Sequence, residues 1–371
     1  MSDIGGTHQK IYNHSAYGCY TIVSVQGASH VKNQQPCQDA FACLEDSETG
    51  GPLIIAIADG HGDKRHDMSH YGAKLATHIA VHVLKDLYEQ LKQSRTYLFR
   101  SFRDDFLKEV VKQWKKEVLA HASAHDIDGT DPSKVYTRYG TTLLVALVCE
   151  EEALVGQIGD GDILVIDGKN RPIPSLDKGD DLVGNATYSL CSPEANRFWN
   201  AARIPRPLGN KFLMMSTDGL SNCFEDDDNF YKFASSLAEY VDRHTFSSAS
   251  DAFPSLLFTY SSRGSGDDIT LALLKFKNIS TPHMRPDTQE ETRPSDTMEE
   301  KEPAAVLEAD EERDKSRSLE SGKSESCTYR LGPLSKETYR KAGGSIYKPV
   351  SLNNDKLQGP IINIRPKDEL Q

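Results

Sequence analysis

No apolar run in the chain approaches the roughly 18 residues that a membrane-spanning helix needs, and the N-terminal stretch MSDIGGTHQKIYNHS lacks the apolar core of a secretory signal. Both absences predict a cytoplasmic protein. The tetrapeptide KDEL at 367–370 is followed by Gln371, so it does not stand at the end where a retention signal is read. The seven cysteines form an odd set without a Cys-x-x-Cys pair. That argues against a disulfide framework and a structural zinc, and suits a reducing compartment. Positive charge is also short: 43 Lys and Arg face 55 Asp and Glu, a net charge of −12. Nucleic acid and anionic membrane surfaces are therefore not expected partners, since Lys and Arg drive both kinds of binding.

Aromatic residues are absent between Phe276 and Tyr329, an acidic, Ser-rich interval with few large apolar side chains. Such a segment cannot bury enough surface to offset its chain entropy, which puts a domain boundary near Lys277. The 371 residues divide into an N-terminal extension (1–17), one large domain (18–277), an acidic disordered linker (278–328) and a tail (329–371). The tail regains aromatic and basic residues, so it is either a docking segment for a partner or disordered throughout.

Within 18–277 the strand signals are plain. CYTIVSVQG, DAFACLE, LIIAIAD, TTLLVALVCE, ALVGQIGD, DILVIDG, FLMMSTDG and DITLALLKF are aliphatic or β-branched runs bounded by Gly, Asp or Asn. Glu150 to Glu152 and Gly159 to Gly161 mark short turns, which predict an antiparallel meander from 143 to 168. Leu75, Ile79, Val83, Leu87 and Leu91 predict one long helix. A second is predicted from about Tyr97 to Ala120, with Phe99, Phe102, Phe106, Val110, Trp114 and Val118 on one side, and a third over Phe230 to Asp242. Strand blocks with helices grouped between them predict an α+β fold, its sheets covered by helix layers.

Asp59 and Asp218 each end an apolar run as Asp-Gly, whereas Asp39 and Asp267 stand where runs begin. In antiparallel sheets the end of one strand lies beside the start of its neighbour, so the four carboxylates can share one edge. Uncompensated, they would repel and raise one another's pKa values. Mg²⁺ or Mn²⁺, which prefer oxygen ligands, would relieve this. A glycine at position 60 lets the backbone come close enough for its carbonyl to serve as a ligand. Each Asp-Gly alone is an ordinary turn; the combination carries the inference. Thr141 and Thr142 read as strand start and packing, because the single Gly140 makes no phosphate cradle.

CQDAF (37–41), ADGHGD (58–63), YGTTLLVAL (139–147), QIGDGDILV (157–165), STDGLSN (216–222) and GDDITLALL (266–274) occur in the order found in the metal-dependent Ser/Thr protein phosphatases of type 2C. The chain resembles a bacterial-like member of that family from about Gly18 to Phe276. The resemblance implies a four-layer α-β-β-α sandwich of two antiparallel sheets, with a binuclear Mg²⁺ or Mn²⁺ site at one edge. It implies that Asp59 bridges both ions, that the Gly60 carbonyl ligates one, that Asp218 and Asp267 hold the other, and that Asp39 acts directly or through water. Asp160 matches a residue tied to a third, weaker ion, and His61 matches a proposed general acid. The implied activity is hydrolysis of phosphoserine and phosphothreonine in proteins by direct attack of water, with a Ser/Thr kinase opposing it.

Two departures from the family pattern stand out. No Arg precedes the Gln38-Asp39 pair to bind the substrate phosphate, which leaves His30 or Lys32, with His30 favoured as nearer the preceding strand. Asn222 occupies a position where many members have an Asp that helps hold the third ion. The segment 167–210 is expected to be a variable flap shaping substrate choice. Two rival readings share the fold: a non-catalytic phosphoprotein-binding module and a small-molecule phosphoesterase.

Overall fold

The computed structural model describes residues 6–45, 51–176, 188–205 and 210–277. The predicted linker and tail, and the flap residues 177–187 and 206–209, lie outside the described residues. Two antiparallel sheets form the middle of the fold. One has six strands in the order β1 (His8–Ser15), β2 (Gly18–Val25), β11 (Ile269–Phe276), β10 (Asn210–Ser216), β7 (Asp162–Asp167) and β8 (Pro172–Pro174). The other has five, in the order β3 (Ala40–Glu45), β4 (Leu53–Ala58), β5 (Leu143–Val148), β6 (Glu152–Ile158) and β9 (Asn200–Pro205). The helices are α1 (Ala28–Asn33), α2 (Ser69–Leu91), α3 (Arg95–Asp104), α4 (Phe106–Ala124), α5 (Pro132–Arg138), α6 (Asp218–Ser221), α7 (Asp227–Arg243) and α8 (Phe246–Arg263).

The apolar runs are continuous because both faces of each central strand are buried. Along β4, Ile54, Ala56 and Ala58 pack under α2 and α4, while Leu53, Ile55 and Ile57 meet the other sheet. Along β10, Leu213 and Met215 face the other sheet, and Phe212 and Met214 pack under α7 and α8. The result is the α-β-β-α sandwich. Trp114 of α4 is fully buried and donates its indole N–H to Gly72 O at 3.0 Å, locking α4 onto α2. Among the described residues no helix is long and apolar enough to cross a membrane.

Several elements differ from the sequence expectation. Within the expected N-terminal extension, His8–Ser15 forms β1, which pairs with β2 along its whole length, from His8 opposite Val25 to Ser15 opposite Gly18. The predicted meander also breaks. β5 and β6 form a hairpin, but β7 joins the six-stranded sheet instead of pairing with β6. The chain changes sheet at Gly159, whose φ of +114° favours glycine, and Gln157 Nε2 reaches the carbonyls of Gly159 and Gly161 at 3.3 and 3.2 Å. The second predicted helix is two, meeting at Asp105. At that break Phe102 and Phe106 both lean on Trp199, with ring centroids 5.6 and 5.5 Å away, and Trp199 Nε1 donates to Phe102 O at 3.2 Å.

Candidate metal centre

In the five-stranded sheet Ala40 pairs with Ala58, so Asp39 before β3 and Asp59 after β4 leave the same end side by side. In the other sheet Ser216 pairs with Leu271 and Thr217 N donates to Thr270 O at 3.0 Å. That sets Asp218 after β10 beside the start of β11, where Asp267 stands. Two hydroxyls join the sheets: Thr217 Oγ1 and Thr270 Oγ1 lie 2.8 and 2.7 Å from Asp39 Oδ2. The four aspartates therefore converge on one edge, as antiparallel pairing requires.

The electrostatics show how crowded they are. Burial pushes the Asp39 carboxyl well above the usual carboxylate range, and the charges of Asp268 and Asp267 add to it. Burial does the same to Asp59, reinforced by Asp39 and Asp218. Asp218 is pushed up to about 6, chiefly by burial, with Asp160 and Asp267 adding to it, against a hydrogen bond shared with Asp59 and a smaller pull from the 2.9 Å bond donated by Asn222 Nδ2. Asp267 is raised by burial and by the charges of Asp268 and Asp160. Among the described residues no Lys or Arg ion-pairs with these four. Asp39 Oδ1 and Asp218 Oδ1 are buried without a hydrogen-bond donor among the described residues. A hard divalent cation fits such a donor set, since it removes the repulsion and satisfies the orphaned oxygens.

The backbone at Asp59 is tightly held. Its carbonyl accepts from Thr141 Oγ1 and Thr142 N, both at 2.8 Å, and its N–H donates to Thr142 Oγ1 at 3.0 Å. Thr141 and Thr142 thus fix the turn that carries Asp59, beyond the packing role read from sequence. At Gly60 the N–H donates to Gln38 O at 3.2 Å, and a Cβ there would lie 2.8 Å from Gln38 O and 2.9 Å from Ser69 C and O. Only glycine allows this approach.

The family model for protein phosphatase 2C matches residues 26–256, more than half of the chain. The chain belongs to the protein phosphatase 2C family. No curated protein matches it. Similar solved structures include PppA, a key regulatory component of the T6SS in Pseudomonas aeruginosa, at 16% identity, covering 73% of this chain and 100% of that one, with a TM-score of 0.47. The serine/threonine phosphatase Stp1 from Staphylococcus aureus matches at 14% identity over 74% and 96%, with a TM-score of 0.45. The catalytic domain of the serine threonine protein phosphatase PstP, in complex with two manganese ions, matches at 15% identity over 73% and 100%, with a TM-score of 0.41.

In this phosphatase 2C chain, Asp160 is close enough for its charge to bear on both Asp218 and Asp267. His61 follows Gly60, its N–H bonded to Gly140 O at 3.1 Å and its ring edge-on to His66 with centroids 4.9 Å apart. Burial, with a smaller push from His66, lowers its pKa to about 4. The two expected phosphate contacts lie on α1. His30 is 8% exposed, with Nδ1 2.9 Å from Asp268 Oδ2 and Nε2 3.8 Å from Asp267 Oδ1. Both ring nitrogens thus stand nearest to carboxylates. Lys32 is exposed on α1 and makes no ion pair among the described residues.

No Cys-x5-Arg loop of a covalent phosphatase is expected around any cysteine, yet Cys191 and Arg197 have that spacing. Burial raises the Cys191 thiol, which donates to Ser189 Oγ at 3.2 Å, and Arg197 is paired with Glu194 at 2.7 Å. A protonated thiol and an occupied guanidinium do not make an attacking loop. Sequence reasoning also missed Asp268, because nothing in GDDIT tells which Asp turns inward.

Proposed function

We propose that this protein hydrolyses phosphoserine and phosphothreonine in a phosphorylated protein, in opposition to a Ser/Thr kinase. The observation that carries the proposal is the convergence of Asp39, Asp59, Asp218 and Asp267 at one sheet edge with buried, unpartnered carboxylate oxygens. Asp59 and the Gly60 carbonyl would hold one of two ions, Asp59, Asp218 and Asp267 the other, Asp39 would act directly or through water, and Asp160 would favour a weaker third. Bound there, Mg²⁺ or Mn²⁺ would offset charge on the phosphoryl oxygens and acidify a water for in-line attack.

The chain's own contribution is positioning and proton transfer. Thr141 and Thr142 hold the Asp59 turn, and Thr217 and Thr270 hold Asp39. As water oxygen bonds to phosphorus, the bond to the Ser or Thr oxygen breaks and that oxygen takes a proton from His61. Burial keeps His61 neutral at pH 7 in the free protein, so the role requires the dianionic ester beside it to favour the charged ring. Asn222 donates to Asp218 instead of adding a carboxylate, which weakens the case for the third ion.

Every core carboxylate is present, which favours an enzyme over a non-catalytic binding module. A panel of phosphoserine and phosphothreonine peptides and nucleotides, assayed with Mn²⁺, tests the substrate class. Turnover of peptides well above nucleotides is expected. Equal or greater turnover of nucleotides would assign a small-molecule phosphoesterase, and no turnover of any phosphate ester would leave the binding module.

A further inference from the structure

Asp268 lies at the start of β11 beside the candidate ligands and is 3% exposed. Its Oδ1 accepts from Gly27 N at 2.6 Å; its Oδ2 accepts from Gln38 N at 2.6 Å and lies 2.9 Å from His30 Nδ1. Gly27 precedes α1, His30 lies within it, and Gln38 is the residue before Asp39. One carboxylate thus ties both ends of the 27–38 segment by hydrogen bonds, and its middle by the close contact with His30, to the strand that carries Asp267. A second tie runs parallel to it, for Ser261 Oγ of α8 donates to Asp267 O at 2.8 Å and accepts from Ala28 N at 3.0 Å. Asp267 is fixed in turn, its Oδ1 accepting from Asp268 N at 2.8 Å and lying 3.8 Å from His30 Nε2.

His30, Asp267 and Asp268 offer ligand atoms within 4.8 Å of one another, the spacing of a metal site. Both oxygens of Asp268 are already taken by backbone donors, and His30 Nδ1 is turned to Asp268, so this cluster is an anchor and not a cation cage. What it anchors is the relation between two candidate ligands in different sheets. Asp39 is one residue from a bonded amide, and Asp267 is next to the carboxylate that bonds it.

We propose that Asp268 and His30 are positioning residues that set the placement of Asp39 relative to Asp267, and through it the affinity for the divalent cation. The proposal rests on the reading that these aspartates bind that cation. Outer partners of metal ligands are worth about 10–100-fold in affinity, because a misplaced carboxylate must be moved at the expense of binding.

The test is Mn²⁺ binding to the full chain, by calorimetry and by the electron paramagnetic resonance line shape of the ion, with melting in EDTA measured alongside. His30→Leu removes the contact to Asp268. His30→Asn keeps a side-chain N–H donor near the place of Nδ1. Wild type is expected to bind Mn²⁺, His30→Leu to bind it about tenfold or more weakly with an altered line shape, and His30→Asn to recover most of the loss. Unchanged affinity and line shape in His30→Leu would overturn the proposal even if that variant melted lower in EDTA. An equal loss in His30→Leu and His30→Asn would overturn it too. A wild type that binds no Mn²⁺ would instead overturn the metal-centre reading itself, and would show as such in the unmutated chain.

Discussion

Replacing Gly60 by Ala perturbs the centre through one methyl group. That Cβ would sit 2.8 Å from Gln38 O and 2.9 Å from Ser69 C and O, all backbone atoms. Ordinary contact needs about 0.5–1 Å more, so either the Asp59–Gly60 turn or the start of β3 must move. Both carry candidate ligands. Overpacking of this kind costs about 1–3 kcal/mol, and each kcal/mol lowers Tm by about 2–4 °C for a folded part of this size. The expected loss is therefore roughly 2–12 °C in EDTA, with a further loss of Mn²⁺ affinity because the Gly60 carbonyl is displaced. Gly62→Ala is the control: its Cβ would meet only Gln38 Oε1, at 3.6 Å, so its stability should stay within about 0.5 kcal/mol of wild type. Differential scanning calorimetry of the three proteins, with and without Mn²⁺, reads the effect. A Gly60→Ala protein with wild-type Tm and wild-type Mn²⁺ affinity would refute the close-approach argument.

Three other outcomes are expected. Thr142→Val should cost more stability in urea titration than Thr141→Val, about 1–3 against 0.5–1.5 kcal/mol, since it strands the Asp59 N–H whereas the Asp59 carbonyl keeps a second donor; the reverse order would contradict this. His70 is pushed down to about 4 by burial and by Lys74 and His121, so it is neutral in the folded chain and takes up a proton near 6.5 when unfolded. Its share of stability is complete above about 6.5 and is lost as pH falls toward 4, so the wild-type minus His70→Leu difference should shrink from pH 7.5 to pH 5; a constant difference would contradict this. A chain ending at Lys277 should keep hydrolysis of para-nitrophenyl phosphate, because the described sheets and candidate ligands end there; a folded truncation without that activity would place the tail in the catalytic unit.

The fold was legible where burial is two-sided. β4, β5 and β11 are apolar throughout because each strand feeds two cores, and such runs need no partner to be recognised. β1, with the sequence HQKIYNHS, is an edge strand largely facing solvent, so it carries no apolar run. β9, NAARIP, ends on a proline and is only partly buried. The break at Asp105 was hidden because two helices meeting at one residue keep the same apolar periodicity. The change of sheet between β6 and β7 was hidden because a short glycine turn serves a hairpin and a crossing equally. The convergence of the four candidate aspartates was legible from their strand-end positions. What held them was not: Thr217, Thr270, Asp268 and His30 are ordinary polar residues until the sheets bring them together.

Most direct is a paired titration of EDTA-stripped protein with Mn²⁺, following heat of binding and phosphopeptide turnover in the same samples, for wild type and Asp59→Asn. The account predicts that two ions bind per wild-type chain, that turnover rises with their binding, and that Asp59→Asn folds yet loses tight binding and turnover together. Turnover in the stripped wild type, or a folded Asp59→Asn protein that binds Mn²⁺ and hydrolyses the peptide like wild type, would contradict it.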